Sequence, residues 1–229
     1  MPLYKTITIN ETTTAYFWHI TEDVTSLFRA VSLNESSRKR LDGMKSEAHQ
    51  KGFLAVRMLL QYIGHFDEDL TYDASGKPHL KQKGRGTKYE NPLTIIHHPS
   101  PITQHISISH SHEFSCICIS DEVIGIDIEL IKEKSLKIAS RFMDILHLQG
   151  LSIADQITKA TIVWGIKESI FKIKNEKGIS FPEHIFEDKF EIEEGKCTAE
   201  LRFNNQIEKF HVQFHLIEGY AFVFSKILM

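Results

Sequence analysis

The order of secondary structure predicted along the 229 residues constrains the fold more than any other feature of the sequence. A strand, a long helix and a hairpin occur in that order twice, at roughly half-chain spacing. The first set lies at 3–20, 46–63 and 105–120, and the second at 123–131, 152–175 and 210–228. We therefore expect an α+β fold of two similar halves related by a pseudo-twofold, each a small antiparallel sheet packed with a long helix. The expected boundary divides the chain into residues 1–122 and 123–229.

Two helices are predicted in the second half. Ser152 is a typical N-cap residue, and Asp155 three residues later completes a capping box, so a long helix is expected to begin there and to end before Gly178. Residues 135–148 are also predicted to be helical. A helix would bring four apolar side chains to one side of this segment: Ile138, Phe142, Ile145 and Leu146.

Composition excludes several classes of protein. With 41% hydrophobic and 25% charged residues, the chain is typical of globular proteins, and its net charge of −3 argues against a duplex-binding domain. Three cysteines without a CxxC pair argue against a disulfide framework and a zinc cluster. The N-terminus has no apolar signal core, and no window approaches a membrane span, so we expect a cytoplasmic protein with no membrane partner.

The segment Gly125-Ile126-Asp127-Ile128-Glu129 is the first chemical signal. On a strand, alternate side chains share a face, so Asp127 and Glu129 would lie on the face opposite the isoleucines, roughly 6.5–7 Å apart. Two such carboxylates are tolerated if water solvates them or if a cation lies between them. Hard oxygen ligands in this arrangement suit Mg²⁺.

A second signal is the helical segment 164–172, WGIKESIFK. Trp164, Glu168 and Lys172 are successive i,i+4 neighbours along one stripe of a helix. The stripe borders an apolar face, so Glu168 is expected at the edge of a cleft. The pair is either a surface Glu–Lys contact or a third metal carboxylate or general base with a lysine over a phosphate.

The remaining signals are polar or basic residues in the first half. A hairpin tip at 107–112 contains Ser109 and His110; it lacks a GxSxG elbow, and adjacent residues on a strand point to opposite faces, so we reject a hydrolase. The tip suits binding of phosphate oxygens, or serves only as a turn. Four more residues are basic: Arg40 and Lys45, which lie in a charged run before the first long helix, Lys77 in the turn 73–78, and Arg57. Arg57 lies on an almost wholly apolar helix and needs an anion, either a phosphate-rich ligand or a buried carboxylate.

GIDIE, followed about forty residues later by WGIKESIFK and preceded by ISHS, resembles the 4′-phosphopantetheinyl transferase superfamily. The chain length and the doubling are similar to its larger, pseudo-dimeric branch, the surfactin-synthetase-activating type. The resemblance covers roughly residues 36–190, with SGKP at 75–78 as a further matching segment. It implies a Mg²⁺-dependent holo-[acyl-carrier-protein] synthase that moves the phosphopantetheine of coenzyme A (CoA) onto a serine of an acyl or peptidyl carrier protein, releasing 3′,5′-ADP.

The resemblance also implies residue roles. Asp127, Glu129 and Glu168 would hold Mg²⁺, Glu168 would also take the proton of the carrier serine, and Lys172 would stabilise phosphate charge. The CoA phosphates would contact Ser109, His110 and Lys77, with Arg40 and Lys45 in the basic run as candidates for the 3′-phosphate. Trp164 and Lys167 match the motif as packing and surface support. Two halves in one chain imply a monomer.

Two positions depart from the family pattern. His147 replaces a glutamate, which is expected to affect local structure or carrier docking, and His112 replaces a glycine. One rival interpretation is a silent paralogue that binds CoA or a carrier protein, but all three carboxylates and Lys172 are present. Another is a nucleic-acid or protein-binding module that uses the basic loop 81–88; the acidic balance argues against it, and no nucleic-acid partner is expected.

Overall fold

The structure, a computed structural model, describes residues 3–81 and 104–228. The chain divides into two compact units, Met1–Glu122 and Val123–Met229. Both units combine antiparallel strands with helices, so the predicted α+β class is confirmed. A pseudo-twofold relation between the halves stays a prediction. No helix in the described parts of the chain is long and apolar enough to cross a membrane.

The N-terminal unit is built around a four-stranded sheet. Its described strands are β1 (Lys5–Asn10), β2 (Thr13–His19), β3 (Leu70–Tyr72), β4 (Pro78–Leu80), β5 (His105–Ser111) and β6 (Phe114–Ser120). Its helices are α1 (Val24–Ala30), α2 (Glu35–Asp42) and α3 (Glu47–Tyr62), with a 3₁₀ turn at Asp67–Asp69. The main sheet has the order β1-β2-β6-β5, and β3 pairs separately with β4 around the turn predicted at 73–78.

The predicted helix at 46–63 is confirmed as α3. Ser46 is its N-cap and Gly64, just beyond its end, has a φ of 81° that favours glycine. Most of its apolar residues are buried, with Leu54 and Leu59 fully covered, because they pack against Trp18 and other side chains of the sheet. This helix therefore forms the core of the N-terminal unit.

The C-terminal unit has a five-stranded sheet. Its strands are β7 (Ile124–Leu130), β8 (Ile185–Glu187), β9 (Lys196–Phe203), β10 (Gln206–Ile217) and β11 (Tyr220–Ile227). Its helices are α4 (Glu133–Lys137), α5 (Ile153–Lys174) and α6 (Phe181–His184), with 3₁₀ turns at Ala139–Arg141, Ile145–Leu148 and Ile192–Glu194. The strand order is β7-β11-β10-β9-β8. In each unit the strand before the long helix pairs with the last strand, β2 with β6 and β7 with β11.

The ends of α5 follow from local chemistry. The backbone N–H of Asp155 donates to Ser152 Oγ at 3.1 Å, so the predicted N-cap is confirmed. At the other end Asn175 adopts a left-handed φ of 50°, and its N–H donates to the carbonyl of Phe171 at 2.6 Å. The 22-residue helix therefore has a hydrogen-bonded cap at each end.

The predicted helix at 135–148 is wrong. The segment instead contains α4, which ends at Lys137, and two 3₁₀ turns. Asp144 caps the second turn by accepting from the N–H of Leu146 at 2.9 Å, a local bond that competes with helix formation. Ile145 and Leu146 are consequently 54% and 60% exposed, although Phe142 is buried.

Candidate functional site

The two carboxylates of β7 lie on the face that α5 covers. Gly125 shows that this face lies against α5, because a Cβ added to Gly125 would lie 1.9 Å from the carbonyl oxygen of Ser169 on α5. Alternation along the strand then places Asp127 and Glu129 on the same side. Asp127 is only 3% exposed, so a solvated strand face does not describe it.

Small residues allow α5 to approach the sheet closely. A Cβ on Gly165 would lie 2.6 Å from Val223 on β11, and Val223 is the strand partner of Asp127. Ser169 Oγ lies 2.7 Å from Ser225 Oγ, and Ser225 pairs with Gly125. The polar end of α5 is therefore held directly over the carboxylates of β7.

Lys172 connects the helix to the strand. Its Nζ donates to Asp127 Oδ1 at 2.9 Å and to the carbonyl of Ile126 at 2.9 Å. The side chain of Lys172 is 29% exposed, whereas that of Asp127 is 5% exposed. The ion pair is thus buried on the acidic side and open to solvent on the basic side.

Glu168 lies one helical turn before Lys172 and is half-buried. Burial, with a further contribution from the negative charge of Asp127, raises the pKa of Glu168 to about 7, while Lys172 opposes the shift and Glu129 adds to it. A carboxylate with a pKa near neutrality can accept and release a proton under physiological conditions. The helix stripe predicted for WGIKESIFK therefore belongs to a site with four interacting charged groups, those of Asp127, Glu129, Glu168 and Lys172.

The donor atoms of this site fit a hard divalent cation. Asp127, Glu129 and Glu168 offer carboxylate oxygens. Burial is the main cause of the raised pKa of Glu168, repulsion from the other two carboxylates adds to it, and a bound cation would relieve that repulsion. Within residues 3–81 and 104–228, no three His, Cys, Asp or Glu side chains are already arranged to hold a metal ion. The compensating positive charge beside Asp127 is that of Lys172.

The other two motif residues have structural contacts. Trp164 is half-buried, with its ring 5.2 Å from that of Phe142 and 5.5 Å from that of Phe181, so the predicted packing role fits. Lys167 was expected on the surface, and this is wrong: it is 2% exposed and paired with Glu187. Sequence periodicity missed this pair because Glu187 lies on another element, β8.

The N-terminal candidates lie on several elements of that unit. Ser109 is buried and His110 is exposed on β5, and the His110 ring covers Gly52 of α3, where an added Cβ would lie 2.9 Å from Nδ1.

The guanidinium of Arg40 stacks 4.9 Å above the ring of Tyr72, next to the β3–β4 turn that holds Lys77. Lys45 is exposed after α2. His112 adopts a φ of 48°, the left-handed conformation for which glycine is favoured.

Arg57 makes an internal ion pair. It is 3% exposed, and its Nε lies 2.9 Å from Asp67 Oδ1, while its other nitrogens donate to the carbonyl of Phe53 and to Ser37 Oγ. The sequence left open whether a phosphate-rich ligand or a buried carboxylate pairs with Arg57, and the structure shows the buried carboxylate of Asp67. The basic loop at 81–88 lies outside the described residues apart from Lys81.

Comparison with known proteins gives one family match and two similar relatives. Residues 123–225 match the family model of the 4′-phosphopantetheinyl transferase superfamily. The chain is also 38% identical over 85 residues to 4′-phosphopantetheinyl transferase gsp of Aneurinibacillus migulanus, covering 36% of this chain and 35% of the relative. It is 33% identical over 100 residues to 4′-phosphopantetheinyl transferase Sfp of Bacillus subtilis (strain 168), covering 42% of this chain and 44% of the relative. In these alignments the chain spans less than half the length of either relative.

Proposed function

We propose that the protein is a 4′-phosphopantetheinyl transferase that moves the 4′-phosphopantetheine group of CoA to a serine of a carrier protein, because residues 123–225 match the model of that superfamily. The observation that carries this proposal is the charged cluster on β7 and α5. Asp127, Lys172 and the half-buried Glu168 lie within the matched region, and each has a chemical task in phosphoryl transfer.

Asp127, Glu129 and Glu168 would hold Mg²⁺, which when bound supplies positive charge to the pyrophosphate of CoA. Glu168 accepts the proton of the carrier serine at a carboxylate oxygen. The serine oxygen then forms a bond to the β-phosphorus, and the bond from that phosphorus to 3′,5′-ADP breaks. Lys172, which is partly open to solvent, stabilises the negative charge on the departing phosphate.

In the N-terminal unit, Lys77, Ser109 and His110 are proposed contacts of the CoA phosphates. Arg40 and Lys45 are candidates for the 3′-phosphate, since both side chains are exposed. Arg57 is the candidate with the least support, because its guanidinium is buried against Asp67. We also propose that the protein acts as a cytoplasmic monomer whose partners are CoA and an acyl or peptidyl carrier protein.

The test is mass spectrometry of a panel of apo carrier proteins incubated with the protein, CoA and Mg²⁺. A phosphopantetheine mass increment on a carrier serine, lost with EDTA and in Glu168→Gln, is the expected result. Glu183→Gln is the matched control, because Glu183 is an exposed glutamate of the same unit on α6, outside the charged cluster.

A catalytically silent paralogue that binds CoA or a carrier protein is the second candidate. Binding of CoA without an increment on any carrier of the panel would favour it. If the protein binds neither CoA nor a carrier protein and no transfer occurs, both functions are rejected. An increment that persists in EDTA would retain the transferase and reject the metal requirement.

A further inference from the structure

A second buried charge network lies on the side of α5 that faces away from β7. Gly165 faces the sheet at β11, and Lys167, two residues later, points about 200° around the helix axis. Lys167 is 2% exposed, and its Nζ donates to the carbonyl of Ile185 and to the carboxylate of Glu187. The helix is therefore held by polar contacts on two opposite sides.

Glu187 joins three elements of the C-terminal unit. One of its oxygens, Oε2, accepts from Lys167 on α5, and the other, Oε1, lies 3.5 Å from His147 Nδ1 in the 3₁₀ turn at 145–148. Glu187 itself lies on β8 and is 8% exposed. Neither the mechanism above nor the packing of the core uses this carboxylate.

The network resists rotation of α5 because its charges are buried. Lys167 and Glu187 are 2% and 8% exposed, and each supplies the opposite charge that the other needs in the interior. Without Glu187, the lysine would keep an uncompensated charge in the interior unless its Nζ reached water. Reaching water requires the helix to turn or shift, and Glu168 is the next residue along it.

We propose that Glu187 is a positioning residue: by holding Lys167 on one oxygen and His147 on the other, it fixes the rotation of α5 and so the placement of Glu168 and Lys172 over β7. The proposal rests on the transferase function for its kinetic consequence, but its structural consequence is independent of that function. Misplacement of a reacting group by about 1 Å is enough to cost roughly a hundredfold in rate.

The experiment compares Glu187→Gln with Lys159→Met. Lys159 is a second buried lysine of α5, 6% exposed, which donates to the backbone carbonyl of Phe190 and lies more than two turns before Glu168. Each variant is labelled with 5-fluorotryptophan, whose two ¹⁹F resonances include that of Trp164 on α5. The ¹⁹F spectra are recorded without substrate. The kcat of transfer and the KM for CoA are then measured on the same samples.

In Glu187→Gln we expect a shifted Trp164 resonance and a kcat lowered about tenfold or more, with a smaller change in KM. Lys159→Met should retain the wild-type resonance and kcat, even if it melts at a lower temperature. A folded Glu187→Gln with wild-type resonance and kcat overturns the proposal. An equal loss of kcat in Lys159→Met also overturns it, because the effect would then follow general destabilisation.

If Glu187→Gln does not fold, the double variant Lys167→Met/Glu187→Leu removes both buried charges and is measured instead. It should show the displaced resonance and the lowered kcat, because α5 then loses its polar ties to β8 and, through Glu187, to His147. Wild-type values for both would overturn the proposal. Should the wild-type protein modify no carrier, the transferase function fails while the ¹⁹F resonance still decides whether Glu187 fixes α5.

Discussion

The Nζ atom of Lys172 lies 2.9 Å from Asp127 Oδ1, and this contact joins the end of α5 to the centre of β7. The two residues are far apart in sequence, yet the pair is the point at which the two motifs of the chain meet. Glu168 lies one turn earlier on the same helix, so its chemistry depends on this contact.

Asp127→Asn should abolish transfer and leave the fold intact. The substitution removes a negative charge that the proposed cation needs, whereas Lys172 can turn toward solvent because its side chain is 29% exposed. We expect transfer to fall about a hundredfold or more, measured as holo carrier formed per minute by mass spectrometry. Circular dichroism should match that of the wild type. Wild-type turnover in a folded variant would contradict the site assignment.

The stability of the metal-free protein should fall as the pH rises toward 7. Burial and Asp127 raise the pKa of Glu168 from 4.5 to about 7, so the folded state binds the proton more tightly than the unfolded state. This contribution to the free energy of unfolding is fully present below about pH 4.5 and is lost by about pH 7. Urea unfolding between pH 4 and 8 measures it. Glu168→Gln should lack this pH dependence, and an identical profile in that variant would contradict the assignment of the shifted pKa.

Mg²⁺ should stabilise the protein more at pH 8 than at pH 5.5. A cation binds the ionised carboxylates, and at pH 5.5 Glu168 is largely protonated in the absence of metal. Thermal melting with and without millimolar MgCl₂ gives the comparison. In Asp127→Asn the Mg²⁺-dependent shift should disappear at both pH values. An equal shift in wild type and variant would place the bound ion elsewhere.

Gly125→Ala should destabilise the C-terminal unit. The new methyl group would lie 1.9 Å from the backbone oxygen of Ser169, so α5 must move away from β7. We expect a loss of about 3 kcal/mol or more in the free energy of unfolding, from urea denaturation. Gly43→Ala is the control: the nearest atom would be 3.5 Å away and the backbone φ is −77°, so it should be nearly neutral. Equal stability of the two variants would be inconsistent with close contact at Gly125.

Arg57→Met and Asp67→Asn should each cost stability by about the same amount. Removal of one partner leaves the other charge buried, which typically costs about 3–5 kcal/mol, and the double variant should cost less than the sum. Urea unfolding of the three variants measures this coupling. If instead Arg57→Met kept its stability and lost affinity for CoA, Arg57 would be a phosphate ligand after all.

The sequence predicted the elements of the site because its signals are local. Alternation placed Asp127 and Glu129 on one face of a strand, and i,i+4 spacing placed Glu168 beside Lys172. What failed depends on contacts between distant parts of the chain. The partners Asp67 and Glu187 could not be identified, because neither motif nor period links them to Arg57 or Lys167. The broken segment 135–148 had a helical apolar period, but the local bond made by Asp144 decided its conformation.

The direct contact between β7 and α5 also has a use in protein engineering. The charged cluster depends on these two elements touching, and the chain that joins them runs over the surface at Gln149 and Gly150, which are exposed. A peptide tag inserted between those two residues would lengthen the connection without entering the space between the carboxylates and Lys172. The protein therefore offers an exposed position for a reporter between the two elements that carry its reactive groups.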